Sequence, residues 1–322
     1  MFEDLLGKAG LSLDRLRSLT EVDEAQSITQ AAKGDLSRQA LISRQLRELE
    51  EYFGVELTER QGRRLQLSPA GRRLAGLARE HLRDLADFAR EQAGASKTFR
   101  LGAGASVLEW LAIPAARGIR NALGNATLQF TTRRSRELVE AIQEGQLDFA
   151  IVREDALPVS ALKLTLQRLR FYLCIPRPLL TDLGALPLRD LAKLKGLPMA
   201  ANAGGGQLDT TFRKAMESVL GEFSPDYECD SLLQVKQLIE TGACAGVLPC
   251  IGLAGLDAAT VHWQEFKPMK DYGRPLVLHW NERHMRRRQV SESTIREVGK
   301  TLEIPADANT VKIPHHAYGN LF

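Results

Sequence analysis

Cysteine, aromatic residues and long apolar runs are all scarce in this 322-residue sequence. Its four cysteines contain no CxxC pair and are Cys174, Cys229, Cys244 and Cys250. So few cysteines in so long a chain exclude a disulfide scaffold and are typical of a reducing compartment. No apolar run approaches the roughly 18 residues of a membrane span, and the first ten residues, MFEDLLGKAG, lack the apolar core of a secretory signal. We therefore expect a soluble cytoplasmic protein without a membrane segment.

An excess of charge of one sign is also missing. The chain carries 43 Lys and Arg against 40 Asp and Glu, and the resulting net charge of +3 indicates no particular partner. Along the chain, however, the cations are segregated. Residues 60–73 contain no acid and include Arg60, Arg63, Arg64, Arg72 and Arg73. Because phosphate binding depends on which face carries the cations, such a cluster matters more than the whole-chain balance.

The motifs of the common enzyme classes are absent. The sequence contains no GxSxG, HExxH or P-loop pattern, and Val107 stands where a dinucleotide-binding GxGxxG would need its third glycine. None of the six histidines lies beside a candidate nucleophile, and the His315-His316 pair lacks metal-ligand spacing. We therefore expect no enzymatic activity, no metal and no cofactor.

The first quarter of the chain has the periodicity of three helices and a hairpin. Apolar spacing predicts a helix over 12–26, a short helix that ends at Gly34, and a third helix from a Ser37 N-cap through Phe53. In the sequence VELTERQGRRLQL that follows, apolar and polar residues alternate on both sides of Gln61-Gly62-Arg63. This pattern is typical of a β-hairpin. A helix-turn-helix followed by a basic hairpin indicates DNA binding. The alternative is a three-helix bundle whose arginines form a solvated face.

This region resembles the winged helix-turn-helix of the LysR-type bacterial transcriptional regulators. The matching residues run in the family's order and are Ala31-Ala32, Gln39, Ser43-Arg44-Gln45, Leu49-Glu50, Gly54, Leu57, Arg60, Arg64, Leu67 and Pro69-Ala70-Gly71. Small and hydrogen-bonding side chains at the start of the third helix suit contact with base edges, and arginines at the hairpin tip suit phosphates. The predicted DNA-binding residues are Ser37, Arg38, Gln39, Ala40, Ser43, Arg44, Arg63 and Arg64.

A long helix with one apolar stripe follows the hairpin. Ser68 is a good N-cap and Pro69 a good first helical residue, and leucines then recur at helical spacing to about Gln92. The stripe would pack either on its own domain or on a second copy of itself, and the resemblance implies a dimer through this linker helix. We place the winged domain at 1–67 and the linker helix at 68–93.

Strands alternate with helices in the rest of the chain, which predicts α/β architecture. The predicted elements include helices over Val107–Leu123, Ser135–Gln143 and Leu232–Glu240 and a strand over Tyr227–Cys229. The fragments EGQLDFAIVR and IETGACAGVLP resemble recurrent patterns of the LysR-type effector-binding domain, which is similar to periplasmic binding proteins. The expected fold is thus an all-α winged helix-turn-helix domain plus a two-lobed α/β effector domain over 97–303. One lobe comprises 97–170 with 266–303 and the other 171–265, and no role is assigned to the tail 304–322.

Ligands of parallel α/β sheets bind beyond the carboxyl ends of the strands, beside helix N-termini. By that rule the predicted effector-binding residues are Ser106, Arg134, Ser135, Arg153, Gly204 and Gly205. The arginines favour an anionic effector, since they form charge-assisted hydrogen bonds with carboxylates. The alternative is an arginine loop that faces DNA or a neighbouring subunit.

The sequence therefore predicts a transcriptional regulator that senses a small anion between two lobes and binds a near-palindromic operator. Its expected partners are double-stranded DNA, the effector, a second copy in a homodimer, a homotetramer, and RNA polymerase. One alternative is a redox-sensing regulator that uses Cys229, Cys244 or Cys250, although no cations surround these cysteines to activate them. Another is a two-lobed small-molecule binding protein without operator specificity.

Overall fold

The computed structural model describes residues 3–61, 64–180, 188, 190–273 and 275–303. The N-terminal elements are α1 (Glu3–Leu6), α2 (Leu13–Ala25), α3 (Ile28–Ala31), α4 (Leu36–Phe53), β1 (Thr58–Gln61) and β2 (Arg64–Leu67). The two strands pair in antiparallel register from Thr58 opposite Leu67 to Gln61 opposite Arg64. The helix-turn-helix and the hairpin that the sequence predicts are both confirmed.

The winged domain is held by an apolar centre and by one carboxylate. Leu19, Ile42 and Leu49 are at most 1% exposed and pack together between α2 and α4. The Glu50 carboxylate, near the end of α4, accepts hydrogen bonds from the Thr58 backbone N–H at 3.0 Å and from the Thr58 hydroxyl at 2.9 Å. This side chain fixes the hairpin against α4, so that helix and wing keep a constant relative position.

The N-cap of α4 differs from the sequence prediction. The helix begins at Leu36, and its cap is Asp35, whose carboxylate accepts from the backbone N–H groups of Ser37 at 2.8 Å and Arg38 at 3.2 Å. The prediction that Ser37 caps this helix is therefore wrong. Both residue types are good N-caps, and the left-handed backbone of Gly34 (φ 82°) ends the preceding turn early enough for Asp35 to take the position.

Helix α5 (Pro69–Gln92) begins as predicted, with the Ser68 hydroxyl accepting from the Gly71 N–H at 3.0 Å. Gly71 is required there because an added Cβ would overlap the carbonyl oxygen of Leu57. Ala75 and Ala78 on one face are buried, whereas three large apolar side chains are exposed: Leu77 by 47%, Leu85 by 53% and Phe88 by 62%. In the described part of the chain, no helix has the length and apolar character needed to cross a membrane.

Two five-stranded sheets make up the rest of the structure. The first has the order β4-β3-β5-β12-β6, with β3 (Thr98–Ala103), β4 (Thr127–Thr132), β5 (Phe149–Arg153), β6 (Lys163–Arg168) and β12 (Pro275–His279). The second has the order β11-β7-β10-β8-β9, with β7 (Phe171–Pro176), β8 (Met199–Asn202), β9 (Tyr227–Cys229), β10 (Ala245–Pro249) and β11 (Val261–Glu265). β3, β4 and β5 run parallel, as do β8, β9 and β10. The mixed two-sheet α/β fold is confirmed.

Helices cover the sheets and bury both faces of the central strands. They are α6 (Ala105–Val107), α7 (Ala116–Ala122), α8 (Ser135–Gln143), α9 (Gln207–Leu220), α10 (Leu232–Glu240), α11 (Glu282–Arg287) and α12 (Glu292–Thr301). In β5, Phe149 and Ile151 pack into one apolar cluster with α7 and α12, and Ala150 and Val152 into another with α8. Such two-sided burial is typical of parallel strands and explains the continuous apolar run FAIV.

One predicted helix is broken. Instead of a continuous helix over Val107–Leu123, the chain forms α6, a π-helical turn over Leu108–Ala112, and then α7. Pro114 lies at the break, and proline cannot donate the backbone hydrogen bond that a continuous helix would need there. The break turns the Trp110 side chain towards the second sheet, as described below.

Candidate DNA interface and effector cleft

The outward face of α4 carries most of the predicted DNA-contacting residues. Ser37, Ala40, Arg44 and Arg47 are exposed and follow one another at three- and four-residue spacing, opposite the buried Ile42, Leu46 and Leu49. Gln39 and Ser43 are half-buried. This face can present hydrogen-bonding and cationic side chains to a major groove without disturbing the core.

Arg38 differs from its neighbours because it is tied to α2. Its Nη2 lies 2.9 Å from Oε2 of Glu21, and Arg17 binds the other oxygen of the same carboxylate at 3.0 Å. Burial alone would raise the pKa of Glu21, but the hydrogen bonds from Arg38 and Arg17 lower it overall. Arg38 therefore braces α4 against α2, which sets it apart from the exposed Arg44.

The wing tip lies partly outside the described residues. Arg63 is not among them, and of Arg64 the structure describes the backbone, which pairs with Gln61. Both arginines stay predicted DNA contacts. Arg60 on β1 is exposed, so at least one cation of the basic cluster is available on the hairpin.

The predicted effector residues lie at the carboxyl ends of the parallel strands. Ser106 follows β3, Ser135 is the first residue of α8 after β4, and Arg153 ends β5. The loop Ala203–Gly206 follows β8 in the second sheet and leads into α9. Gly205 in this loop has φ +70°, a left-handed conformation that side chains rarely adopt, so glycine is required there.

Arg134 joins the two sheets. Its Nη2 donates to the carbonyl oxygen of Gly204 at 2.9 Å, so that a residue after β4 of the first sheet contacts a loop after β8 of the second. Arg134 is exposed, and no carboxylate among the described residues lies within 4.0 Å of its guanidinium group. The strand ends of the two sheets thus face each other across a cleft with a cation between them.

Carboxylates occupy the two helix N-termini that face this cleft. Oε2 of Glu137 accepts from the Arg134 backbone N–H at 3.2 Å, and Oδ2 of Asp209 accepts from the Gly206 N–H at 2.7 Å. These contacts satisfy donors that would otherwise bind a ligand. These two backbone donors are therefore already hydrogen-bonded, and the polar side chains beside the end of α8 are those of Arg134 and Ser135.

Arg153 lies where the chain passes between the sheets. Its Nε is 3.3 Å from Oδ1 of Asp155, and its Nη1 is 3.5 Å from the Tyr272 hydroxyl. The side chain is one-third exposed. The structure therefore brings Arg134 and Gly204 into direct contact, with Ser135 beside them. Arg153 is held by Asp155 and by Tyr272, whose ring packs on Phe171 of the second sheet.

The comparisons with known proteins cover nearly the whole chain. The family model "LysR substrate binding domain" matches residues 92–292, and the model "Bacterial regulatory helix-turn-helix protein, lysR family" matches residues 13–72. The chain belongs to the LysR family of bacterial regulators. It is a DNA-binding transcriptional regulator with an effector-binding domain, not an enzyme. Members of this family bind DNA and small-molecule effectors and form oligomers.

The relatives of this LysR-family regulator are named for the control of different genes. It is 32% identical to a probable hydrogen peroxide-inducible genes activator of Mycobacterium xenopi. The alignment spans 145 residues, or 44% of this chain and 77% of the relative. It is 25% identical to a probable RuBisCO transcriptional regulator of Porphyra purpurea. That alignment spans 279 residues, or 80% of this chain and 84% of the relative. Full-length OxyR from Pseudomonas aeruginosa has the same fold, with a TM-score of 0.60, 17% identity, and coverage of 92% and 99%.

Three of the four cysteines of the regulator are poor candidates for a redox sensor. Cys174, Cys229 and Cys244 are buried, and Cys250 is half-buried. Burial raises the pKa of the Cys174 thiol to about 12 and, together with nearby Cys229 and Asp226, that of Cys244 to about 11. The pKa of Cys229 is raised by burial and by Asp230. Because the thiolate is the reactive form, these surroundings disfavour oxidation.

Sequence reasoning missed Trp110, which packs against the second lobe. A Cβ added to Gly252, after β10, would lie 2.7 Å from the Trp110 ring, and Nζ of Lys236 on α10 is 5.6 Å from the ring centroid. The Trp110 ring therefore packs against Gly252, and the Lys236 ammonium group lies over the ring. A π-helical turn, which often marks functional positions, presents the tryptophan, but no sequence pattern predicts such a turn.

Sequence reasoning also missed Arg79, which joins three parts of the regulator. Its guanidinium group on α5 pairs with the Asp23 carboxylate of α2, and its Nη1 donates to the Glu144 carbonyl oxygen after α8 at 2.8 Å. The side chains of Arg79 and Asp23 are 4% and 2% exposed. The linker helix is thus fastened to the winged domain and to the first lobe at the same point.

Proposed function

We propose that the regulator binds a small anion in the cleft between its two sheets and couples this event to the recognition of a near-palindromic operator by α4. The observation that carries the proposal is the hydrogen bond from Arg134 to the Gly204 carbonyl. It brings one uncompensated cation to the meeting point of both sheets. A ligand carboxylate would form a stronger, charge-assisted bond with this guanidinium group than the neutral carbonyl does.

Binding in the cleft acts on DNA only if the two lobe arrangements differ in their affinity for the ligand. An anion that replaces the Gly204 carbonyl oxygen as the acceptor of the Arg134 hydrogen bond changes the contact between the sheets directly. The first sheet is in turn fastened to α5 and the winged domain through Arg79. A change of lobe arrangement would therefore alter how the winged domains of an oligomer are presented.

The exposed face of α5 supports pairing with a second copy. Leu77, Leu85 and Phe88 lie along one side of the helix, away from the face that Arg79 attaches to the protomer. An apolar helix face of this kind is stabilised by an equivalent face in a coiled coil. A dimer with two α4 helices in major grooves about 34 Å apart would require a near-palindromic operator. A homotetramer and a contact with RNA polymerase stay predictions.

A bulky side chain at Ser135 tests the cleft. The effector is first sought by thermal shift of the full chain against a panel of small mono- and dicarboxylates. Replacement of Ser135 by leucine is then expected to abolish the shift that the wild type shows, because the first residue of α8 lies beside Arg134. Operator affinity without ligand should be unchanged. Ser293→Leu, an equivalent change in the first turn of α12, is the control. A normal response of Ser135→Leu would place the effector elsewhere.

Alanine substitutions on α4 test the operator contacts. We expect Gln39→Ala and Arg44→Ala each to weaken operator binding by about 1–3 kcal/mol, and binding to random DNA much less, because base-reading bonds are lost. Fluorescence anisotropy with labelled operator and random duplexes measures both. The control is Arg296→Ala, since that arginine pairs on the surface with Glu292 of α12. If both α4 variants bind the operator like the wild type, α4 is not the recognition helix.

A further inference from the structure

A second cavity lies away from the effector cleft. It measures about 220 Å³, is partly open to solvent and lies between α2, α5 and the first sheet, with five arginines and three carboxylates in its wall. A single water needs roughly 10–15 Å³ of such space, so the cavity has room for a molecule of several non-hydrogen atoms. Arg134 and Arg153, the cations of the cleft, are not part of this wall.

Two of the five arginines form ion pairs with the three carboxylates of the wall. Arg288 holds Asp148 through Nη1 and Asp87 through Nη2, both at 2.9 Å. Arg79 pairs with Glu24 at 3.5 Å, in addition to the buried Asp23 behind the wall. Both arginines are nine-tenths or more buried. The wall therefore has a net charge of +2, or +1 when Asp23 is included, and its other three arginines form no ion pair within the described part of the chain.

The guanidinium groups of the remaining three arginines donate to neutral acceptors. Arg83 binds the Gln146 carbonyl oxygen at 2.9 Å, Arg90 binds the Thr98 hydroxyl at 2.7 Å, and Arg100 binds the Gln129 amide oxygen at 2.9 Å. Among the described residues, no carboxylate lies within 4.0 Å of these three guanidinium groups. Three like charges around one cavity repel each other unless an anion or salt screens them.

We propose that this cavity binds a small multivalent oxyanion, distinct from the effector of the cleft. Guanidinium groups bind carboxylate and phosphate oxygens in two-pronged geometry, and three of them in a wall of net charge +2 suit a ligand with two negative charges. The ligand would touch Arg83 and Arg90 on α5 and Arg100 on β3. It would thus fasten the linker helix to the first sheet, beside the point where Arg79 joins both to the winged domain.

Isothermal titration calorimetry of the full chain tests the site, with inorganic pyrophosphate and citrate as probes and sodium chloride holding the ionic strength constant. We expect saturable binding of one anion per chain for at least one probe. Binding of pyrophosphate alone identifies phosphoryl chemistry, and binding of citrate alone identifies carboxylate chemistry. Arg90→Gln with Arg100→Gln should weaken that binding at least tenfold, since two of the three guanidinium groups available to the anion are lost.

The matched control removes two arginines elsewhere. Arg117→Gln with Arg120→Gln on α7 has the same change of net charge and should leave the affinity unchanged. Glu24→Gln removes a negative charge from the cavity wall and should strengthen binding about threefold. Glu24 is 55% exposed, and glutamine keeps a side-chain oxygen beside the buried Arg79, so this variant changes the charge of the wall with little change of shape. Arg134→Gln should bind like the wild type.

Three results would overturn the proposal. The first is that neither probe gives saturable binding to the wild type at constant ionic strength. The second is that the Arg90→Gln, Arg100→Gln variant binds as tightly as the wild type. The third is an equal loss of affinity in the α7 control, which would show a general effect of charge rather than a site.

Discussion

Replacing Arg79 with methionine is expected to lower the free energy of unfolding by about 3–5 kcal/mol. Methionine retains much of the apolar stem but leaves the Asp23 carboxylate, 2% exposed, without its cation. The Glu144 carbonyl loses a hydrogen bond of 2.8 Å at the same time. Since the winged domain and the first lobe meet at this side chain, we also expect their unfolding to separate into two transitions.

Urea denaturation followed by circular dichroism measures both effects. Arg296→Met is the control, because its guanidinium group lies on the surface, 66% exposed, and such ion pairs contribute about 0–1 kcal/mol. Adding Asp23→Asn to Arg79→Met should restore part of the stability, since no buried charge is then left unpaired. A single transition with wild-type midpoint in Arg79→Met would show that this ion pair does not hold the two parts together.

The sequence predicts those helices and strands that the spacing of apolar residues within a short segment defines. Helix α8 has the predicted bounds, Ser135–Gln143, because its apolar residues follow a helical period after a strand. The strand Tyr227–Cys229 and the helix Leu232–Glu240 also have the predicted bounds. The strands β6 and β11 were not predicted. Their half-exposed residues lack the continuous apolar run that marks the buried strands.

Contacts between distant segments could not be predicted in this way. The stripe on α5 predicts one apolar face, but the helix also buries Arg79, whose partners lie 56 and 65 residues away in the chain. Likewise, the strand-end rule places Arg134 and Gly204 each at a cleft, but their contact depends on the orientation of the two sheets. The sequence signal for Arg79 is a charged residue among the regularly spaced apolar residues of a helix, since buried arginines need partners.

Replacing Asp148 with alanine is the second change for which we expect a loss of about 3–5 kcal/mol in the free energy of unfolding. This carboxylate is fully buried at the start of β5 and accepts from the Arg100 N–H at 2.6 Å, His284 Nε2 at 2.6 Å and Arg288 Nη1 at 2.9 Å. Alanine leaves all three donors without this acceptor. Because Arg288 also holds Asp87 on α5, the change should weaken the attachment of the linker helix as well.

Thermal and urea unfolding of Asp148→Ala and Asp148→Asn separate charge from hydrogen bonding. Asparagine keeps one carbonyl acceptor and should lose less stability than alanine, with Arg288 still paired to Asp87. The control Glu292→Ala removes a carboxylate that is 76% exposed and should change stability by no more than about 1 kcal/mol. Asp148 lies at the opposite end of β5 from Arg153, so the folded fraction of either variant should keep the wild-type response to the cleft ligand. Wild-type stability of Asp148→Ala would contradict the assignment of this carboxylate as the centre of the network that holds α5 to the first sheet.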